Sequence, residues 1–419
     1  MGVGSEPVVV VGAGISGLCC ARVLQDAGVA CLVLDAADEV GGRVRTDTLD
    51  AFHLDRGFQV FLTAYPEAPR FIDYSSLQLN AFEPGALVRF DGKFHRVSDP
   101  RRRPESLLGS LFSTVATMND KLTLLALLID VARGDADALF DRPQTTTLEA
   151  LKQRGFSERV IERFFRPFYA GVFLERELET SSRLFEFTFR MFAQGNAALP
   201  TGGIGAIPRH IVSRLPSDAV RLNARVRSVR QGVVELESGE MLSAAAVVVA
   251  TDGDEAARLL GVEAPRCWRG TCCLYFAADR APLQEPLLVL NASGGGLVNN
   301  LCVPSNVAPS CAPPGAALIS VSTVGVPDMD DASLEGHVRA ELADWFGVAV
   351  NEWRHLRTYR IPRALPEMSP RVLAVPSRPV RIRSGLYLAG DHVETASLNG
   401  AMRAGRRAAE AVIEDQRLR

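Results

Sequence analysis

Lysine is nearly absent from this chain of 419 residues. It stands only at Lys93, Lys121 and Lys152 among the 46 basic residues, so almost every positive charge is an arginine. The 49 acidic residues bring the net charge to -3. This balance gives no basic surface of the kind that binds nucleic acid, and we expect no nucleic-acid partner.

Paired cysteines are also lacking. None of the eight cysteines forms a C-x-x-C pair, and no histidine accompanies them at the spacing of zinc ligands. Three of them lie in the apolar opening segment, where a free cysteine behaves as a small hydrophobic residue. The pattern predicts no metal site and favours a reducing compartment.

Long apolar runs are missing as well. The longest apolar helical segment, at 122–131, is too short to cross a bilayer and is interrupted by Asp130. Apolar helices within 105–131, one of them presenting Leu107, Leu108, Leu111 and Phe112, are expected to cover the core; peripheral membrane contact is the alternative. With no signal peptide expected before Pro7, we predict a cytoplasmic protein, or one of an organelle stroma or matrix if a targeting peptide was removed.

What the chain does have is a glycine-rich turn directly after its first strand. Residues 7–11 are apolar throughout and lead into G-x-G-x-x-G. Gly12 permits the tight turn, Gly14 lets a pyrophosphate approach the backbone, and Gly17 allows close packing of helix and strand. A second strand then ends at Asp35, roughly 20 residues further on, where a ribose-binding carboxylate is expected. This order of strand, glycine-rich turn, second strand and acidic residue predicts a dinucleotide site. An ordinary glycine-rich turn is the alternative.

A second glycine turn follows at Gly41-Gly42-Arg43. Its backbone amides can face an anion, and the guanidinium can contact phosphate oxygens through two N–H groups. Together with the first glycine loop and Asp35, this turn resembles the opening of the flavin amine oxidase superfamily. That group includes amine oxidases, protoporphyrinogen oxidase and phytoene desaturase-like enzymes. The resemblance implies FAD, although the family usually has glutamate where Asp35 stands.

The other end of the chain carries a matching signal. A strand ends at Gly390-Asp391, and 397–402 then opens a helix. In the family, this carboxylate holds a ribityl or pyrophosphate group, and the helix start lies at the polar edge of the flavin ring, where it stabilises negative charge. Because 385–401 contains no cysteine, the flavin is expected to be bound non-covalently.

Further segments extend the likeness over most of the chain. Residues 54–59 look like the family's segment beside the flavin. Residues 165–173 and 199–204 look like the protoporphyrinogen oxidase and phytoene desaturase branch. Val226 and Thr251 match family positions near adenine and phosphate. The resemblance therefore implies these cofactor-binding residues: Gly12, Gly14, Ile15, Ser16, Gly17, Asp35, Ala36, Gly41, Gly42, Arg43, Gly57, Phe58, Gln59, Val226, Thr251, Gly390, Asp391, Ser397, Leu398, Asn399 and Ala401.

These observations predict an α/β fold with two interleaved domains. A Rossmann-like FAD-binding domain, with a parallel sheet and a βαβ opening, takes 1–82, 196–262 and 379–419. An α+β substrate domain takes 83–195 and 263–378, with 105–195 mainly helical. Within it we expect a hairpin around Asp91-Gly92 and a helix near 333–346.

The expected reaction is hydride transfer from a substrate C–H to the flavin N5, followed by reoxidation by oxygen or a quinone. Many amine oxidases place a lysine near the flavin, on a strand after the segment that here is 246–251, and no lysine follows Lys152. The resemblance then favours a desaturase or oxidase of a small apolar substrate, isoprenoid, carotenoid-like or ring-containing. Amine oxidation, a redox-neutral isomerisation and a non-catalytic flavin-binding factor are alternatives. No catalytic residue is assigned; the candidates are Gln59, Tyr359 and Arg363, and a structural role is the alternative for each.

Overall fold

A computed structural model describes residues 6–98 and 115–417. The predicted helix face of Leu107, Leu108, Leu111 and Phe112 lies outside the described residues. The strands are, in chain order, β1 (Val8–Val11), β2 (Cys31–Leu34), β3 (Thr46–Leu49), β4 (Phe52–Asp55), β5 (Phe61–Leu62), β6 (Leu79–Ala81), β7 (Gly85–Phe90), β8 (Lys93–Ser98), β9 (Ala197–Pro200), β10 (Val220–Arg221), β11 (Val226–Arg230), β12 (Val233–Leu236), β13 (Met241–Ser243), β14 (Ala246–Val249), β15 (Trp268–Ala278), β16 (Leu288–Asn291), β17 (Val298–Cys302), β18 (Ala317–Thr323), β19 (Arg354–Pro366), β20 (Arg381–Arg383) and β21 (Leu386–Leu388).

The α-helices are α1 (Ile15–Asp26), α2 (Ala68–Phe71), α3 (Tyr74–Leu77), α4 (Met118–Ala132), α5 (Thr147–Gln153), α6 (Glu158–Val160), α7 (Arg166–Phe173), α8 (Ser182–Gln194), α9 (Ala206–Val212), α10 (Gly253–Leu260), α11 (Pro304–Val307), α12 (Asp331–Phe346) and α13 (Leu398–Arg417). A π-helical turn, Ile161–Phe165, joins α6 to α7. None of the helices within the described ranges is long and apolar enough to cross a membrane.

A six-stranded sheet forms the base on which the glycine loop rests. Its order is β10-β2-β1-β14-β21-β20, and all neighbours except β20 and β21 run parallel. β1 and β14 are fully buried valine-rich strands at its centre, as expected of a parallel sheet covered on both faces. The carboxyl ends of β1, β2 and β21 therefore meet at one edge of the sheet, where ligands bind in open α/β folds.

The apolar positions of 220–229 predict a single strand, and this prediction is wrong, because the structure divides the segment between two sheets. Val220–Arg221 joins the edge of the parallel sheet beside β2, and Val226–Arg230 pairs antiparallel with β12. Asn223 lies between the two with a φ of 54°, a left-handed conformation that asparagine tolerates. This kink redirects the chain, which periodicity alone does not reveal.

A seven-stranded sheet, β19-β15-β18-β17-β16-β7-β8, forms the second layer. It is antiparallel except for the parallel pair β16 and β7. The predicted hairpin at Asp91-Gly92 is confirmed, since β7 and β8 pair from Phe90–Lys93 outward. The helix expected near 333–346 is confirmed as α12, which buries Leu334, Val338 and Leu342 against this sheet's core.

The three segments predicted for the first domain supply the six-stranded sheet. Its strands come from 8–34, 220–249 and 381–388, whereas the seven-stranded sheet draws on 85–98 and 268–366. The exact domain boundaries stay a prediction. The described part of 105–195 contains α4 to α8 and the π-helical turn.

Candidate active site

One cavity of about 1710 Å³ connects the parallel sheet, the second sheet and the helical segment. It exceeds the roughly 300–1,000 Å³ of a site for one drug-sized ligand, so it can hold a dinucleotide and a second molecule. Nearly all the predicted cofactor residues line it: Gly12, Gly14, Ile15, Ser16, Asp35, Ala36, Gly41, Gly42, Arg43, Gly57, Phe58, Gln59, Val226, Thr251, Gly390, Asp391, Ser397, Leu398 and Ala401.

Two predicted residues lie behind this wall. A Cβ on Gly17 would lie 1.8 Å from the carbonyl oxygen of Gly12, so Gly17 serves the packing of α1 on its own turn. The amide oxygen of Asn399 accepts from the backbone N–H of Glu67 at 3.0 Å, and this buried bond ties α13 to the start of α2. Neither Gly17 nor Asn399 belongs to the residues that line the cavity.

The glycine loop has the geometry of a phosphate cradle. Gly12 adopts a φ of +109°, and a Cβ there would lie 2.7 Å from the carbonyl oxygen of Ala250. At Gly14, by contrast, a Cβ would meet no described atom within 4 Å, although this residue lines the cavity. The loop is therefore held by tight packing on the protein side and is open on the cavity side, which fits a pyrophosphate against α1.

Asp35 is fixed at the end of β2 by two backbone amides. Its Oδ2 accepts from the N–H of Ala13 at 2.6 Å and its Oδ1 from that of Ala37 at 2.8 Å. Each carboxylate oxygen retains a further lone pair, so a ribose hydroxyl can still donate to it. The shorter side chain that distinguishes this chain from the family's usual glutamate is thus rigidly placed beside the glycine loop.

The second glycine turn touches the first. The N–H of Gly41 donates to the carbonyl of Ala13 at 2.8 Å, with Gly41 at φ +115° and Gly42 at φ +60°. The Arg43 guanidinium then donates to Asp391 Oδ1 and to the carbonyl of Ala364, each at 2.7 Å. Arg43 thus links the two chain ends, and direct phosphate binding by its guanidinium stays a prediction.

The carboxyl-terminal segment completes the same edge. Asp391 follows Gly390, whose φ is +148°, and the Asp391 side chain is almost fully buried. Ser397 and Leu398 line the cavity where α13 begins, and Ser16 Oγ donates to the carbonyl of Ala401 at 2.6 Å. A Cβ on Gly405 would lie 2.1 Å from the carbonyl oxygen of Ser16, so α13 lies directly on α1.

The three catalytic candidates all line the cavity, but much of their hydrogen-bonding capacity is committed. Gln59 Nε2 donates to the carbonyls of Arg43 and Arg56, leaving its amide oxygen as the group available to a ligand. The Tyr359 hydroxyl donates to Asp47 Oδ2 at 2.8 Å. Arg363, more than half exposed, pairs with Asp254 at 2.9 Å.

Asp47 organises a charged cluster that the sequence did not reveal. Burial acts to raise its pKa, but hydrogen bonds from Arg56 and Tyr359 outweigh this and hold the pKa below its usual value. Conversely, burial and the neighbouring Asp47 carboxylate raise the pKa of Tyr359. A neutral Tyr359 beside an ionised Asp47 is a stable polar contact at the cavity wall.

An aromatic wall, which the sequence did not predict either, lines the cavity where the helical segment borders it. Phe164 and Phe168 stack at 5.6 Å, and Phe168 meets Phe192 edge to face at 5.1 Å. The signal for this wall in the sequence was the spacing of its phenylalanines along the π-helical turn, α7 and α8. Residues four apart, such as Phe164 and Phe168, share a helix face. Lys121 of α4 also lines the cavity, but it lies on a different element from the strand that carries the flavin-adjacent lysine of many amine oxidases.

Comparison with known proteins agrees with this geometry. The family model for flavin containing amine oxidoreductases matches residues 15–413. A 15-cis-phytoene desaturase of Glycine max is 23% identical, over 98% of this chain and 80% of its own length. A coproporphyrinogen III oxidase of Mycobacterium tuberculosis is 26% identical, over 61% of each chain. The cyclohexylamine oxidase of Brevibacterium oxydans has the same fold, with a TM-score of 0.71 at 18% identity, over 98% of this chain and 99% of that one.

Fold and cavity define a dinucleotide-binding oxidoreductase with a parallel sheet and a second layer that lines the same cavity. The chain belongs to the flavin containing amine oxidoreductase family, and its cofactor is FAD. The residues present fit this group, because the glycine cradle is open where a pyrophosphate would lie and the fixed Asp35 carboxylate stands where a ribose is expected. The individual cofactor contacts stay predictions.

Proposed function

We propose that this oxidoreductase takes a hydride from a C–H bond of an apolar organic substrate, as a desaturase or oxidase. Isoprenoid, carotenoid-like and ring-containing molecules form the proposed substrate class. The aromatic wall of Phe164, Phe168, Phe189 and Phe192 is the observation that carries this proposal, because it lines the part of the cavity contributed by the helical segment. Such rings offer flat apolar faces to a planar or polyene molecule.

The chain's own residues supply binding, orientation and exclusion of water. Bound FAD supplies the hydride-accepting N5 position. The wall of α7 and α8 holds the substrate away from solvent, and the fixed glycine loops hold the cofactor in register with it. In a desaturation the substrate also loses one proton, which leaves to solvent, and oxygen or a quinone is the proposed final acceptor of the two electrons.

The names of the similar proteins refer to different classes of substrate. The names of the soybean and mycobacterial relatives refer to phytoene and to coproporphyrinogen III, both large molecules with extended apolar or ring-containing skeletons. Amine oxidation is the competing proposal, because a cyclohexylamine oxidase shares the fold. The absence of any lysine after Lys152 argues against it, since the strand that would carry a flavin-adjacent lysine in many amine oxidases has none.

The deciding experiment is anaerobic reduction of the flavin. Purified FAD-loaded protein is mixed with a carotenoid, a porphyrinogen, a C20 isoprenoid and a polyamine, and the loss of flavin absorbance is followed. We expect bleaching by one of the apolar substrates, followed by recovery on adding oxygen or a quinone. Bleaching by the polyamine alone would establish amine oxidation instead. Isomerised product without bleaching would indicate a redox-neutral reaction, and no response to any compound would favour a non-catalytic flavin-binding factor.

Peripheral membrane contact through α4 is part of the same proposal. Met118, Leu122, Leu125 and Ile129 recur at helical spacing and are 55%, 62%, 49% and 49% exposed. The first three also line the cavity, so the exposed apolar stripe and the substrate site share one helix. A lipid-soluble substrate could enter along it while the protein otherwise stays in the cytoplasm, stroma or matrix.

A further inference from the structure

One face of the seven-stranded sheet borders the cavity, whereas its opposite face packs on α12. On the cavity side, the strand register places one residue of each of five adjacent strands in a single row: Tyr359, Cys273, Ser322, Asn300 and Leu290. Neighbouring strands lie about 4.8 Å apart, so this row spans roughly 19 Å. All of its members except Cys273 line the cavity.

The row connects the aromatic wall to the charged cluster of Asp47. Leu290, at one end, belongs to the cluster on which Phe164 and Phe168 pack. Tyr359, at the other end, donates to Asp47. Because Asn300 and Ser322 occupy the middle of the row, a long ligand that extends from the aromatic wall along the sheet passes over these two residues.

Asn300 and Ser322 are directly opposed cross-strand partners on β17 and β18. Side chains in such a pair point to the same face of the sheet, with their Cβ atoms about 4.5–5.5 Å apart. Both residues also line the cavity. The register therefore brings an amide and a hydroxyl to one place on the cavity wall.

The hydrogen bonds around Asn300 determine which end of its amide is free. Asn299 directs its Nδ2 to the carbonyl of Pro167 at 3.2 Å, and this atom must be the nitrogen because a carbonyl oxygen only accepts. The same Nδ2 donates to Asn300 Oδ1 at 3.0 Å, so Asn300 Nδ2 is the remaining end. No described residue accepts from this Nδ2, yet the atom is not fully enclosed, so it is open to the cavity.

Ser322 supplies a second donor beside this nitrogen. Its hydroxyl neighbours the Cys273 thiol, a weak hydrogen-bonding group that leaves the hydroxyl able to donate to a ligand. Asn300 and Ser322 are only 4% and 7% exposed, so a ligand atom bound between them is shielded from water. A shielded N–H without an acceptor is unfavourable, and a ligand oxygen that accepts from it removes this penalty.

We infer that Asn300 and Ser322 form a specificity subsite that donates hydrogen bonds to an oxygen atom of the substrate. The substrate is then an apolar molecule bearing a carbonyl or hydroxyl oxygen rather than a pure hydrocarbon. A protonated amine is a poor fit to Asn300 Nδ2, because both groups are only donors. This inference rests on the proposed function for the apolar body of the substrate and adds the polar group that orients it.

The test measures equilibrium binding to FAD-loaded protein by calorimetric titration with a matched pair of probes. Geranylacetone is an isoprenoid ketone, and in the second probe CH2 replaces its C=O. The quantity compared between variants is the ratio of ketone affinity to hydrocarbon affinity, because the different cost of taking each probe out of water then cancels. Asn300→Leu keeps the approximate size of the side chain and removes the donor, so we expect it to lower this ratio about tenfold or more.

Ser322→Ala removes the second donor and should lower the ratio severalfold, with FAD content unchanged. Because it removes only a hydroxyl, this variant tests the subsite even if Asn300→Leu fails to fold. Ser320→Ala is the matched control, since Ser320 lies two residues earlier on the same face of β18, contacts Cys273 Sγ at 3.4 Å and is outside the cavity wall. The control should keep the native ratio.

Three outcomes would overturn the inference. They are an unchanged ratio in either folded subsite variant, an equal fall of the ratio in Ser320→Ala, and no binding of geranylacetone to the native protein.

Failure of the inference and failure of the proposed function give different results. If isoprenoids bleach the flavin but the ratio is the same in the native protein and the subsite variants, only the subsite is wrong. If no apolar compound bleaches the flavin while the ratio falls in Asn300→Leu and Ser322→Ala, the subsite stands and the proposed reaction is wrong.

Discussion

Arg43 and Asp391 join the two ends of the chain in one ion pair, with the Arg43 Nη2 and the Asp391 Oδ1 2.7 Å apart. Arg43 follows the second glycine turn, and Asp391 follows the last strand of the parallel sheet. The guanidinium also holds the carbonyl of Ala364 on β19, so it connects the cofactor edge to the second layer. The cofactor edge is therefore complete only once the carboxyl-terminal segment has folded back.

Breaking this pair should reduce flavin retention. Arg43→Met leaves the buried Asp391 carboxylate without its cation, and we expect a loss of about 2 kcal/mol in the free energy of unfolding, below the usual cost at fully buried pairs because Arg43 is partly exposed. The flavin-to-protein absorbance ratio and urea unfolding measure the two effects. Arg266→Met is the control, since its pair with Glu263 at 3.3 Å is solvent-exposed and should contribute little. Equal effects of the two substitutions would contradict a closing role for Arg43.

Two glycines of one loop should respond to substitution in different ways. Gly14→Val places its Cβ in open space, so the apoprotein should keep its thermal midpoint while the side chain occupies the space of the pyrophosphate and FAD is lost. Gly17→Ala should instead destabilise the fold, because its Cβ would lie 1.8 Å from a carbonyl oxygen. Differential scanning fluorimetry and flavin content separate the two. Normal FAD content in Gly14→Val would remove the glycine loop from the cofactor site.

Asp55 should make stability depend on pH in the mildly acidic range. Burial is the main cause that raises its pKa from 3.8 to about 6, against the lowering effect of hydrogen bonds from Thr46 and Ile204. Because the folded state binds this proton more tightly than the unfolded state does, proton binding to Asp55 stabilises the fold. This stabilisation is fully present below pH 4 and is lost as pH rises through 6, by about 3 kcal/mol. Urea unfolding at a series of pH values measures the slope.

Asp55→Asn provides the comparison for that slope. Both hydrogen bonds are accepted by Asp55 Oδ1, at 2.6 Å from Thr46 and 2.9 Å from Ile204, and an asparagine oxygen can accept both. The variant should therefore show a flatter profile between pH 4 and 6 than the native protein. The same slope in both proteins would assign the pH dependence to other groups.

Tyr359→Phe should affect stability more than turnover. The hydroxyl proton is already donated to Asp47, which Arg56 and Arg357 also contact, so it is not available as an acid for the substrate. We expect a loss of about 1 kcal/mol in unfolding free energy and a rate of flavin reduction within about threefold of native. Stopped-flow reduction by the substrate found in the bleaching experiment measures the rate. A loss of a hundredfold or more would assign Tyr359 to catalysis.

The apolar stripe of α4 should bind lipid. Replacing Leu122 and Leu125 together by aspartate removes apolar contact area and adds charge, so recovery with phosphatidylcholine vesicles in a flotation assay should fall severalfold. Met241→Asp is the control, because Met241 is also exposed, at 59%, but lies on β13 outside the cavity wall. Flotation that is absent in the native protein, or unaffected by the double substitution, would contradict membrane contact.

Local patterns predicted the elements around the cofactor well, because each is fixed by short-range physics. The apolar strand, the glycines and Asp35 follow one another within a single βαβ unit, and the structure places them as the spacing indicated. The hairpin at Asp91-Gly92 is similarly local. The strand over 220–229 was wrong because the left-handed Asn223 breaks it, and asparagine carries no certain signal for that conformation.

The sequence by itself predicted a dinucleotide site, since the strand, the glycine loop and Asp35 follow one another in one local βαβ unit, and the resemblance to the flavin amine oxidase superfamily implied FAD. Only the tertiary structure decided which side chains share the cavity. Gln59 and Tyr359 became wall residues with committed protons, whereas Phe164 and Phe168 line the same cavity as Asn300, which comes from a distant segment. These contacts depend on how α7 packs on β17, and such long-range packing has no periodicity from which a single sequence could foretell it.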